Sequence, residues 1–69
     1  MIKENIRRII ESKGLKHRAV AIRAGLRPQQ FSDMLNGRRN IYAEDILRIS
    51  IALEVTPNDL FGFKDRKDR

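Results

Sequence analysis

A helix stop and a helix start stand almost side by side in this sequence. In the stretch "AGLRP", Gly25 follows Ala24, and Pro28 comes three residues later. Glycine ends helices because it takes a left-handed backbone conformation without a Cβ clash. Proline begins them, because the N–H it lacks is one that a first helical turn leaves unpaired anyway. It also pushes the preceding Arg27 toward the extended backbone that an N-cap residue adopts. With so little chain between stop and start, the second helix must leave at a steep angle to the first. Two short helices joined by a tight turn form the unit around which the rest of the chain has to be arranged.

The flanking segments read as helices too. Ile2, Ile6, Ile9 and Ile10 fall on one helical face, and Gly14 stops that helix with Lys13 in its last turn. The second helix starts near Lys16 or His17 and turns Val20, Ala21 and Ala24 inward. The third is expected over about 28–36, with Phe31, Met34 and Leu35 at i, i+3, i+4 spacing and Gly37 as its stop. The fourth runs roughly from Ala43 to Leu53, with Glu44 and Asp45 in its first turn and Ile46, Ile49 and Leu53 inward. Its cap is not evident, since neither Ile41 nor Tyr42 is a capping residue. "TPND" opens a short fifth helix, with Thr56 as cap, Pro57 first and Asp59 in capping-box position, and Leu60 and Phe61 close the core. No strand pattern appears. The expected fold is all-α, five helices in one domain over 1–63, with "KDRKDR" at 64–69 as a charged, disordered tail.

The rest of the composition narrows the function. A chain of 69 residues has room for one compact domain that buries only about 60% of its unfolded surface. There is no cysteine, which excludes disulfides and thiolate metal sites. One histidine and no clustered carboxylates leave no nucleophile and base pair, so neither an enzyme nor a cofactor, metal or small-molecule site is expected. No apolar run exceeds four residues and none resembles a signal peptide, so a soluble, cytoplasmic protein without a membrane partner is expected. The net charge of +6 is unevenly placed. Residues 13–40 hold seven Lys or Arg against Asp33 alone, whereas 41–63 hold Arg48 against Glu44, Asp45, Glu54 and Asp59. Such asymmetry is the electrostatic footprint of a polyanion-binding surface, or else a solvated basic face that aids solubility.

In a helix-turn-helix the second helix lies in the DNA major groove, with its N-terminal residues at base edges. Here those residues are Pro28, Gln29 and Gln30. A glutamine amide carries a donor and an acceptor in one plane, which matches the N6 donor and N7 acceptor of adenine. Arg38 and Arg39 follow the helix and are placed to hold flanking phosphates, while Lys16 and His17 lie at an anion-favouring helix start. The alternative for the two glutamines is ordinary solvent exposure. For His17 it is plain solvation, since nothing at metal-ligand spacing accompanies it.

The stretches "SKGLKHRAVAIRAGL", "FSDMLNGRR" and "ILRISIALEVTPNDLF", in this order and spacing, resemble the Cro and phage-repressor type of helix-turn-helix, the xenobiotic response element family. The resemblance covers about residues 2–61. It implies five helices and binding to double-stranded operator DNA as a homodimer, in the manner of a small transcriptional regulator. It also places Pro28, Gln29 and Asp33 at base-contacting positions, Gln30 and Ser32 where contacts to backbone or bases are common, and His17 and 38–40, including Asn40, at phosphate. Arg27 at the start of the reading helix completes the expected DNA-binding set. Three departures stand out. Pro28 can offer a base only apolar contact. Asp33 is acidic beside phosphates, although it can accept from cytosine N4. Ile10 and Leu35 occupy positions where many members pair arginine with glutamate, an exchange that is often neutral or stabilising.

Leu47 and Ile51 are i, i+4 neighbours off the inward stripe of the fourth helix. With Phe61 and Phe63 they form a candidate homodimer interface, or they widen that helix's core contact. Arg48 and Glu44 are spaced for a surface ion pair. The rival to DNA reading is a protein-interaction module, antitoxin-like or accessory, that keeps the fold without reading DNA. Pro28 and Asp33 favour it, and the basic middle segment opposes it.

Overall fold

The computed structural model describes residues 1–63; the expected tail at 64–69 lies outside the described residues. The chain forms α1 (Ile2–Ser12), α2 (His17–Arg23), α3 (Pro28–Leu35), α4 (Ala43–Leu53) and α5 (Pro57–Phe61), with no strand among the described residues. α2 packs on α3 and α4, α1 packs on α3 and α5, and α4 packs on α5. The inward faces are those the periodicity predicts. Ile6 and Ile10 of α1, Val20 and Ala21 of α2, Phe31, Met34 and Leu35 of α3, and Ile46, Ile49 and Leu53 of α4 are buried in one cluster that Leu60 completes. Ile10 and Leu35 belong to this apolar core, so no buried charge has to be desolvated at those positions.

One device closes all five helices. After α2, the Gly25 N–H donates to the Ile22 carbonyl at 3.0 Å and the Leu26 N–H reaches back to Ala21 at 2.9 Å, with Gly25 at φ +75°. These two hydrogen bonds engage carbonyls at the helix end that would otherwise lack their usual helical donors. They let α3 start at once at a new angle. The same pair of bonds recurs after α1, α3, α4 and α5, and the residue donating the longer-range bond is Leu15, Leu26, Val55 or Phe63 in four cases. After α3 it is Arg38, where apolar contact is the usual accompaniment.

Three details depart from the sequence expectation. The α4 cap is supplied from inside the helix: the Tyr42 N–H donates to Asp45 Oδ2 at 2.9 Å, and Asp45 is buried with this bond made. Phe61 does not close the core with Leu60; it stays 45% exposed while Leu60 is fully buried. No ion pair joins Arg48 to Glu44; both side chains are exposed, in keeping with how little such pairs stabilise.

The α4 closure also uses a residue poorly suited to it. Glu54 takes φ +60°, ψ +44°, in the left-handed region where the other four closures have glycine. A Cβ there costs about 1 kcal/mol. Glu54→Gly is therefore expected to raise stability by about 0.5–1 kcal/mol, seen as a higher urea midpoint with an unchanged slope. An unchanged or lowered midpoint would show that the Glu54 backbone is not strained.

Candidate nucleic-acid interface

The outward face of α3 begins at Arg27, whose extended backbone (φ −74°, ψ 144°) is the one imposed by the following proline. Its N–H donates to Gln30 Oε1 at 3.3 Å, so the Gln30 side chain helps to cap the helix as well as lying near the surface. Gln29 is exposed one position away and points along the helix, where its Nε2 donates to Asp33 Oδ1 at 3.0 Å. The same Asp33 oxygen lies 3.6 Å from Arg38 Nη1. The Asp33 backbone carbonyl in turn accepts from the N–H groups of Arg38 (2.8 Å) and Arg39 (3.2 Å). Arg27, Gln29, Gln30, Asp33 and Arg39 line one shallow depression of about 200 Å³. A larger one, about 380 Å³, lies between α1 and α5 and collects none of these side chains.

The other residues expected in the site are arranged around this face. Pro28 is half-buried at the first position of α3. The Ser32 hydroxyl accepts from Asn36 Nδ2 at 3.4 Å. Arg38, Arg39 and Asn40 follow the helix and are exposed. Lys16 caps α2 without a side-chain bond, and His17 opens it with its ring edge-on to Phe31, centroids 6.3 Å apart at 73°. His17 thus covers the back of Phe31 while remaining open to solvent. Among the described residues no group of His, Asp or Glu is placed to hold a metal ion.

Two cations that sequence reasoning did not assign lie just past the C-terminal end of α3. Arg7 Nη2 donates to Asn36 Oδ1 at 3.0 Å, and Lys3 Nζ stands 2.8 Å from where a Cβ on Gly37 would be. Lys3 and Arg7 are i, i+4 neighbours on α1, and that spacing was the available signal for one cationic stripe. Placed at the C-terminal end of α3, they are favoured by its dipole and extend the positive rim begun by Arg38 and Arg39.

On a separate face, Leu47, Ile51, Phe61 and Phe63 are 53%, 68%, 45% and 64% exposed. The two phenylalanine rings stack with centroids 6.3 Å apart. Their exposure shows that these side chains do not widen the core contact of α4.

Residues 5–66 match the family model of the Cro/C1-type HTH DNA-binding domain. The chain is also similar to the restriction-modification controller protein C.AhdI from Aeromonas hydrophila, known from a crystal structure. The TM-score is 0.82 and the identity 28%, over 87% of this chain and 91% of that one. No curated protein matches the chain. Among the described residues no helix is long and apolar enough to cross a membrane.

Proposed function

Because the chain belongs to the Cro/C1-type helix-turn-helix DNA-binding family, a family of DNA-binding transcription regulators and not of enzymes, we propose that it binds a specific duplex sequence with α3 in the major groove. The observation that carries this reading is the exposed Gln29 amide at the start of α3, in one depression with Arg27 and Arg39. Gln29 reads adenine through its amide edge. Arg38, Arg39, Lys16, Arg7 and Lys3 hold phosphates on either side, His17 and Asn40 extend that contact, and Pro28, Gln30 and Ser32 pack against sugar and base edges. The likeness to a restriction-modification controller supports a regulator of this size and extends the proposal to that class of control.

The protein acts as a homodimer through Leu47, Ile51, Phe61 and Phe63. Leu47 and Ile51 on α4 and the stacked Phe61 and Phe63 are large apolar side chains left exposed, which supports an interface, and a two-fold pairing sets two reading helices roughly 34 Å apart on the duplex. Selection of bound sequences from a random duplex pool tests both parts. The enriched sequences should contain two related half-sites whose centres are about one helical turn apart. A single half-site would remove the homodimer. No enrichment, together with tight binding to a protein partner, would replace DNA reading with the protein-interaction alternative that Pro28 and Asp33 suggest.

A further inference from the structure

Resting on the reading above, we propose that Asp33 is a positioning residue that determines specificity through Gln29, rather than a contact to a base. An amide has two ends of nearly the same shape, and a freely rotating glutamine can present either order of donor and acceptor. The Asp33 carboxylate only accepts, so it pairs with the Gln29 nitrogen and not with its oxygen. That bond uses one N–H and leaves Oε1 and the second N–H, the two groups adenine requires. The same carboxylate draws in the Arg38 guanidinium, and the Asp33 carbonyl ties down the Arg38 and Arg39 backbone. One residue thus couples the reading end of α3 to its phosphate-holding end. Its negative charge weakens binding to every duplex alike, so affinity is reduced while discrimination is gained.

The test is a double-mutant cycle with Gln29→Ala and Asp33→Ala, scored by the ratio of affinities for the selected duplex and a scrambled one. Asp33→Ala should lower that ratio about tenfold while tightening binding to the scrambled duplex a few-fold, because a charge facing phosphates is gone. In the Gln29→Ala background the second substitution should leave the ratio unchanged. Asp33→Asn, close in volume, should also lower the ratio, because an amide pairs with either end of Gln29. A lost side-chain volume alone would not do this. An unchanged ratio in both Asp33 variants, or an equal fall with and without Gln29, would overturn the proposal; the second result would make Asp33 itself a base contact. A wild-type ratio near one would instead bring down the DNA-reading function on which the proposal rests, and the proposal with it.

Discussion

Phe31→Ala is expected to remove about 3–5 kcal/mol of folding stability, most of what a domain of this size possesses. Phe31 is 1% exposed and is the largest fully buried side chain of the core. It lies on the inward side of α3, where it meets the shared core, and its edge supports the His17 ring at the start of α2. Truncation leaves a cavity between the two helices whose angle sets the proposed DNA-facing surface. Thermal unfolding followed by far-UV circular dichroism should show a transition lowered by tens of degrees, or no folded baseline at all. A loss below about 1 kcal/mol would mean that the α2–α3 angle is held by the turn alone. Gln29→Ala, on the opposite side of the same helix and exposed, should cost no more than about 0.5 kcal/mol of stability. The contrast separates what builds α3 from what it presents.

The second large effect is on salt dependence. If each protomer neutralises about three or four phosphates, a dimer covers about six to eight, and log affinity falls against log salt with a slope of about −5 to −7. Between 50 and 200 mM salt, DNA affinity should then drop by about three to four powers of ten. The basis is the cationic rim formed by Arg38, Arg39, Arg7 and Lys3 around α3. A slope shallower than about −2 would leave too few phosphate contacts for that rim to act as proposed.

The helix ends were the most legible part of the fold. Gly14, Gly25 and Gly37, the three expected stops, all lie at positive φ after a helix, and Pro28 and Pro57 both stand at a first helical position. These are local rules, satisfied by the residue itself. Glu54 carries no such mark: its left-handed backbone goes with the closure bonds from Glu54 to Ile51 and from Val55 to Ser50, which residue propensity does not report. The start of α4 was read at Ala43, but its cap was not, for a different reason. The cap comes from Asp45, three residues inside, while Tyr42 at the cap contributes only its backbone N–H.

The site divides in the same way. The Gln29–Asp33 bond is an i, i+4 pair and was available from spacing, although Asp33 was weighed as a base contact. The spacing of Lys3 and Arg7 marked a cationic stripe on α1, but where that stripe lies was not legible, because Arg7 meets its partner Asn36, 29 positions away, only once α1 lies across α3. Leu47 and Ile51 were readable as off-stripe residues, but that they face solvent depends on how the other helices pack around α4, which spacing within one helix does not report.

The decisive measurement is the affinity of the wild-type protein, Gln29→Ala and Arg39→Ala for a selected and a scrambled duplex at several salt concentrations. Gln29→Ala should weaken the selected duplex by about 1–3 kcal/mol, leaving the scrambled duplex and the salt slope nearly unchanged. Arg39→Ala should weaken both duplexes together and make the slope shallower by about one. Equal weakening of both duplexes by Gln29→Ala, or no weakening of either, would contradict the assignment of sequence reading to the exposed amide at the start of α3.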